Sequence, residues 1–81
     1  MPDESQHILG KFQEALDQIS GDLSEMANQV IENLETAVRG LTERDSTLCD
    51  RVIAEDAEID HLEMKIDEEG LRIMTLFQPV A

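Results

Sequence analysis

Two aspartates four residues apart, Asp56 and Asp60, are the side chains whose type and spacing best fit metal chemistry in this sequence. On an α-helix that spacing stacks their carboxylates one turn apart, where two like charges cost roughly 0.2–0.5 kcal/mol. A bound cation would relieve this repulsion, and carboxylate oxygens suit hard cations, which take about six oxygen ligands. We therefore predict that Asp56 and Asp60 bind metal, with Glu55 and Glu63 as weaker candidates. The alternative is a solvated acidic face.

The element that must position these aspartates is an amphipathic helix, predicted over about residues 46–77. Its apolar residues recur at steps of three, four and seven, at Leu48, Val52, Ile59, Leu62, Ile66 and Ile73. The missing steps of this row fall on Glu55 and Glu69, so two carboxylates occupy positions where the pattern calls for apolar side chains. A second apolar face has no partner within two helices; it consists of Ile53, Ala57, Met64, Leu71 and Met74.

A first helix is predicted over about residues 4–39, capped by Asp3 or Ser5. Its apolar positions follow a three-four alternation that becomes four-four toward the end, so the stripe turns slowly around the helix as in a packed bundle. These positions are Ile8, Phe12, Leu16, Ile19, Leu23, Met26, Val30, Leu34, Val38 and Leu41.

A short turn over about residues 40–45 joins the two predicted helices. Arg39 and Gly40 are expected to close the first helix, with the glycine in a left-handed cap. Asp45 is the expected N-cap of the second helix, and Thr42 is the competing choice. Because so short a connection joins antiparallel neighbours, the predicted fold is all-α, a long antiparallel helical hairpin.

Composition narrows the classes of function. The chain has 81 residues, 41% hydrophobic but only 2% aromatic, a palette typical of helix bundles. Its 19 acidic and 6 basic residues give a net charge of −13, which disfavours binding to nucleic acid or anionic lipid and favours basic protein surfaces or cations. No apolar run is long enough to span a membrane, and Cys49 has no CxxC partner, so we expect a cytoplasmic protein. No catalytic motif is present, and we do not predict an enzyme.

Two helices alone would leave much of each apolar stripe in water. Burial stabilises by about 25 cal/mol per Å² of apolar surface, so such exposure forfeits many kcal/mol. We therefore expect self-association, most simply as a homodimer in which two hairpins form a four-helix bundle.

Several segments taken together resemble the PhoU family. The specific ones are the run Val52-Ile53-x-x-Asp56-x-x-Ile59-Asp60-x-Leu62-Glu63 and the closing Gln78-Pro79-Val80-Ala81. His7 to Phe12, the Arg44-Asp45 turn and Leu71-Arg72-Ile73 add to the likeness. The resemblance covers nearly the whole chain, residues 1–81, as a partial PhoU-like domain.

The resemblance implies a fold and a function. PhoU proteins carry two copies of a three-helix unit and regulate phosphate uptake and the phosphate-starvation response, acting on transcription indirectly. The implied partners are the ATPase of the phosphate ABC transporter and its sensor histidine kinase. The family's metal-binding pattern, an acidic residue followed four positions later by Asp, matches Asp56 and Asp60, and the implied metal is iron or a divalent ion. The companion motif on a third helix is absent, and we expect a truncated unit. The alternative function is a self-association module with no metal or signalling role.

Overall fold

The computed structural model describes residues 4–77, which form two long helices. Helix α1 spans Glu4–Thr42 and helix α2 spans Ser46–Leu76, and they pack side by side as a hairpin 61 Å long and 22 by 16 Å across. The described residues contain no strand. The predicted all-α helical hairpin is confirmed. The predictions for Asp3 and for the Gln78-Pro79 ending fall outside the described residues.

The turn between the helices differs from the prediction. Gly40 does not end α1, which continues through Thr42, and the left-handed residue is Arg44, with φ of 54°. Two backbone bonds close the helix: the Glu43 amide donates to the carbonyl of Arg39, and the Asp45 amide donates to the carbonyl of Gly40, each at 2.9 Å. This is a Schellman closure shifted four residues along the chain from the predicted cap.

Gly40 is needed for a different reason, the close approach of the two helices. A Cβ at this buried position would lie 3.0 Å from Cys49 Sγ and 3.3 Å from Leu48 Cβ. Both distances are shorter than ordinary van der Waals contacts. The absent side chain therefore lets α2 start directly against the end of α1. In contrast, a Cβ at Gly10 or Gly21 would meet nothing within 4 Å.

Asp45 caps α2 as predicted. Its backbone is extended, and its Oδ1 accepts hydrogen bonds from the amides of Thr47 at 2.9 Å and Leu48 at 3.2 Å. These bonds satisfy two of the amides that have no carbonyl partner at a helix start. The cap therefore fixes where α2 begins.

The contact between the helices is a regular seam, in which steps of three and four alternate in both helices, as in an antiparallel coiled coil. Helix α2 contributes the predicted row, including Glu55 and Glu69, both half-buried. Helix α1 contributes a more polar row than expected, in which Asp22, Asn33 and Gly40 are the buried members. The α1 seam consists of Phe12, Ala15, Ile19, Asp22, Met26, Gln29, Asn33, Thr36 and Gly40.

The predicted apolar stripe of α1 is therefore split between two surfaces. Phe12, Ile19 and Met26 lie in the seam, whereas the four-four steps carry the later members away from α2. Val30, Leu34 and Leu41 are exposed to 46%, 64% and 74%. Within residues 4–77 no hydrophobic side chain is fully buried. The hairpin has a seam but no enclosed core.

The open end of the hairpin is closed by an aromatic contact. The rings of Phe12 and Phe77 lie 5.0 Å apart between centroids and are tilted by 52°. Tilted aromatic pairs of this kind contribute stability beyond that of the apolar area that they bury. It ties the C-terminal end of α2 to the start of α1.

Candidate functional site

All four predicted metal ligands lie on α2, and three of them lie outside the seam. Asp56, Asp60 and Glu63 are exposed, whereas Glu55 lies in the seam and accepts a 3.0 Å hydrogen bond from Arg51 Nε. Within residues 4–77, no three His, Cys, Asp or Glu side chains converge to hold a metal ion. The structure thus brings Asp56 and Asp60 to one face without a third protein ligand from this part of the chain.

One flank of the seam carries two shallow cavities lined mainly by polar side chains. A cavity of about 150 Å³ is lined by Gln29, Glu32, Glu55, Glu58 and Ile59. A second, of about 160 Å³, is lined by Ala15, Gln18, Glu69, Arg72 and Ile73. Because Glu32 of α1 and Glu58 of α2 line one cavity, and Gln18 and Arg72 line the other, we call this side the polar flank.

The seam also holds a pair of carboxyl groups, Asp22 and Glu69, of which the sequence pattern predicted only Glu69. Asp22 of α1 is 5% exposed, and Lys65 Nζ lies 3.6 Å from its Oδ2 and 3.9 Å from Oε1 of Glu69. Gln18 Nε2 is 3.4 Å from both oxygens of Asp22. Glu69 was predicted in the seam, but Asp22 was missed. Its signal was its position, three residues after Ile19 and four before Met26.

The two carboxyl groups shift each other's pKa in opposite directions. A side-chain hydrogen bond from Glu69 lowers the pKa of Asp22, with Gln18 and Lys65 acting in the same direction against burial. The same hydrogen bond raises the pKa of Glu69, and burial and the charge of Asp22 raise it further. Where the pair holds a single proton, Glu69 carries it, because its pKa is the higher of the two. In that protonation state the two acidic groups occupy the seam with one negative charge between them.

The opposite side of the seam is open. On this side each helix carries a row of residues that come directly after a seam residue in the chain and recur every seven positions. The row consists of Leu16, Leu23, Val30 and Ala37 in α1 and of Cys49, Asp56, Glu63 and Gly70 in α2. Because the two cavities place Glu32 with Glu58, and Gln18 with Arg72, on the polar flank, these two rows lie together on the opposite side of the hairpin. We call this side the open flank. Asp56 therefore lies beside the groove between the helices.

A family model described as PhoU domain matches residues 23–81. The "phosphate-specific transport system accessory protein PhoU" of Escherichia coli (strain K12) is 34% identical over 95% of this chain and 32% of its own length. The homologue of Pseudomonas putida is 36% identical over 93% of this chain and 29% of its own length, and that of Rhizobium meliloti is 31% identical over 93% and 32%.

The chain thus spans about a third of the length of the curated relatives it matches. Among solved structures, none gives a significant match. Within residues 4–77, neither helix has an apolar stretch long enough to cross a membrane. The family-model match covers most of the chain and includes the predicted metal ligands, the α2 seam and the α1 seam from Met26 onward, so this chain belongs to the PhoU family.

Proposed function

We propose that this chain is a regulatory accessory module of phosphate uptake that acts through protein contacts. Family membership supports the phosphate role, since the relatives bear the name of a phosphate-specific transport accessory protein. The observation that carries the mode of action is the exposed apolar surface, because contiguous exposed apolar patches mark interaction sites. It includes Leu23, Val30, Leu34 and Leu41 of α1.

The partners we propose are the ATPase of the phosphate ABC transporter and the sensor histidine kinase that reports phosphate supply. In the test, each purified partner is immobilised and the chain is passed over it at increasing concentration. Saturable binding to either partner, and none to an unrelated ABC-transporter ATPase, is the expected result. Equal binding to the unrelated ATPase, or none to either partner, would overturn the proposal.

We further propose that Asp56 and Asp60 contribute to a site for iron or a divalent metal, with Glu55 and Glu63 as weaker contributors. Two exposed carboxylates on one helix are suitable hard ligands but too few for a cation that takes about six oxygens. Within residues 4–77 the donor set is therefore incomplete, and water or another polypeptide must supply the remaining ligands.

The metal proposal is tested with Asp56→Asn/Asp60→Asn and a control of equal charge change, Glu25→Gln/Glu32→Gln on exposed positions of α1. After equilibration with metal and gel filtration, metal content is measured by mass spectrometry. The expected result is loss of bound metal in the first variant alone. Equal metal content in both variants and the original chain would exclude Asp56 and Asp60 as ligands.

Self-association is the second candidate function, and the absence of any fully buried hydrophobic side chain in residues 4–77 favours it. Two hairpins packed by their apolar faces would complete a four-helix bundle. Sedimentation velocity distinguishes it from the first candidate. A stable dimer that ignores the transport partners would favour this function, whereas a folded monomer would exclude it.

A further inference from the structure

The two cavities of the polar flank are equivalent places in the hairpin, repeated two heptads apart. Each residue that lines the second cavity lies 14 positions along its helix from a residue that lines the first. The pairs are Ala15 with Gln29 and Gln18 with Glu32 in α1, and Glu69 with Glu55, Arg72 with Glu58 and Ile73 with Ile59 in α2. This spacing corresponds to about 21 Å of helix, or almost four turns, so side chains at the same spacing on a third helix would meet both cavities.

Midway between the cavities, an ammonium group of the chain itself lies at the equivalent place. Lys65 comes seven positions after Glu58 and seven before Arg72. Its Nζ lies 3.6 Å from Oδ2 of the buried Asp22 on the other helix, and 53% of its side chain is exposed. The hairpin therefore shows which kind of group this place accepts, the charged end of a long and flexible side chain.

The first cavity lacks such a cation. Its walls include the carboxylates of Glu32, Glu55 and Glu58. Arg51 Nε lies 3.0 Å from Glu55, but no ion pair found among residues 4–77 includes Glu32 or Glu58. Carboxylates that line one cavity repel each other, and a positive side chain placed between them removes the repulsion. With about 150 Å³, the cavity has room for an ammonium or guanidinium group.

The second cavity has a different character. Ala15 and Ile73 give it apolar walls, and Arg72 gives it a positive charge. No ion pair found within the described residues 4–77 includes Arg72. Glu69 also lines this cavity, and Lys65 Nζ, 3.9 Å from its Oε1, partly balances its charge. A glutamate from outside would place its methylene groups on the apolar walls and its carboxylate beside the Arg72 guanidinium.

We propose that the polar flank binds one helix of a partner protein, which inserts a lysine or arginine into the first cavity and, 14 residues away, a glutamate into the second. A helix laid along a groove is a recurrent mode of recognition, with its anchor side chains on one face. The residue midway between the two anchors faces Lys65, where a small or acidic side chain fits. This inference rests on the proposed function, since a partner supplies the helix, and it adds a surface separate from the exposed apolar residues of α1.

A second copy of this chain is a poorer occupant of the polar flank. Every lysine and arginine of α1 and α2 lies on the polar flank itself, at steps of seven from the cavity residues; these are Lys11, Arg39, Arg51, Lys65 and Arg72. The outward faces of the two helices therefore offer no cation for the first cavity. Two polar flanks that face each other would bring together chains with a net charge of −13 each. Charge complementarity selects a different protein.

The first test uses two alanine-rich helical peptides of about 25 residues with the same composition. The matched peptide carries a lysine and a glutamate 14 residues apart on one face, and the control peptide carries them nine residues apart on opposite faces. Each is titrated into the isotopically labelled full chain in EDTA, and amide chemical shifts are followed by NMR. We expect the matched peptide to bind at least about tenfold more tightly, to shift the cavity residues most, and to lose affinity as salt is added. Equal affinity for both peptides, or shifts confined to other surfaces, would overturn the inference.

Glu58→Lys tests the first cavity by filling it from within. The new side chain takes the place that Lys65 holds seven positions later, and its ammonium lies near the carboxylates of Glu32 and Glu55. We expect this variant to bind the matched peptide at least about tenfold more weakly. Asp67→Lys makes the same charge change at an exposed position on the other side of α2 and should have a much smaller effect. An equal loss in both variants would show that net charge, not the cavity, causes binding.

Arg72→Glu tests the second cavity by reversing its charge. The measured quantity is the ratio of the affinities for the matched peptide and for a peptide with lysine at both anchor positions. The variant should shift this ratio toward the second peptide by at least about tenfold, because the cavity then repels glutamate and attracts lysine. Arg39→Glu makes the same charge change away from this cavity and should leave the ratio near its original value. A ratio that Arg72→Glu shifts no more than Arg39→Glu does would overturn the inference.

The amide spectra also establish that the variants keep the hairpin, because shifts far from each substitution should match those of the original chain. Glu58→Lys removes one of several neighbouring carboxylates, and Arg72 forms no ion pair within residues 4–77, so we expect both variants to stay folded.

Binding to the proposed partners separates this inference from the proposed function. If Glu58→Lys and Arg72→Glu bind the transporter ATPase or the kinase as tightly as the original chain, the proposed function stands and the polar-flank inference falls. If the matched peptide binds at the polar flank but neither partner binds the chain, the inference stands and the proposed function falls. A dimer that Glu58→Lys dissociates would make a second copy the occupant and overturn the inference.

Discussion

Asp22 of α1 and Glu69 of α2 lie on either side of one ammonium group at the seam, with Lys65 Nζ 3.6 Å from Asp22 Oδ2 and 3.9 Å from Glu69 Oε1. A seam of leucine and isoleucine would be more stable at most pH values. The pair instead makes hairpin stability depend on pH, because neighbouring carboxylates repel and the pKa of Glu69 is raised while that of Asp22 is lowered.

The pH dependence of stability follows from the two opposite pKa shifts. The lowered pKa of Asp22 gives stability that is present above its usual value of 3.8 and is lost as pH falls through the lowered value. The raised pKa of Glu69 gives stability that is present below its usual value of 4.5 and is lost as pH rises through the raised value. We expect urea unfolding to show greatest stability in mildly acidic solution and a decline toward neutral pH.

Glu69→Gln should abolish the decline toward neutral pH. The amide donates a hydrogen bond to Asp22 at every pH, as the protonated carboxyl does only in acid. We expect a melting temperature at pH 7 a few degrees above that of the original chain. Glu68→Gln, at the exposed neighbour, removes the same charge and is the control. If both variants show the same pH profile, the raised pKa of Glu69 is not the cause of the decline.

Gly40→Ala should destabilise the hairpin although alanine favours helices. The new methyl group would meet Cys49 Sγ at 3.0 Å, and overpacking of this kind costs about 1–3 kcal/mol. Gly21→Ala, where the methyl group meets open space, should stabilise by up to about 1 kcal/mol. Urea midpoints that move in the same direction for both variants would contradict the close approach at Gly40. Adding Cys49→Ala to Gly40→Ala should recover part of the loss.

Asp45→Ala should shorten α2 at its start. The hydrogen bonds that the Asp45 side chain accepts from the backbone amides of Thr47 and Leu48 are lost. Loss of an N-cap costs about 1 kcal/mol. Asp45→Ser keeps an accepting oxygen and should retain most of the stability. Amide hydrogen exchange at residues 47 and 48 measures the effect directly, since both protons should exchange faster in the alanine variant alone.

The contact between Phe12 and Phe77 can be measured by a double-mutant cycle. Replacing each ring by leucine keeps an apolar side chain but removes the tilted ring geometry, which contributes about 0.5–1.5 kcal/mol. We expect a coupling energy of that size between the two substitutions. Strict additivity would mean that the open end of the hairpin frays in solution.

Helical periodicity was sufficient to predict α2 and its seam, including the two positions where glutamate replaces an apolar residue. It succeeded because the α2 row keeps a strict three-four alternation from Leu48 to Ile73. In α1 the apolar stripe changes to four-four steps. The predicted stripe therefore consists of the apolar residues, whereas the row that faces α2 also includes polar residues. Asp22 and Asn33 were missed because a polar residue at a seam position looks like a break in the stripe.

Local rules also placed the end of α1 too early. An arginine followed by glycine after an apolar row satisfies the usual signals for a helix end. Gly40 is instead required by the close approach of Leu48 and Cys49. Both residues lie eight or more positions away in the chain, so the local pattern around Gly40 does not indicate this contact. The metal prediction at Asp56 and Asp60 stays a prediction, because the sequence supplies the pair of carboxylates and the rest of a coordination shell depends on groups elsewhere.

The absence of any fully buried hydrophobic side chain in residues 4–77 affects how fast this chain is degraded in a cell. A hairpin without an enclosed interior opens often, and each opening exposes backbone to proteases. A partner that covers the exposed apolar surface of α1 lowers the open fraction by mass action. We therefore expect the abundance of the chain to follow the abundance of its partner, so that surplus copies are degraded and the ratio between the two is held without any change in gene expression.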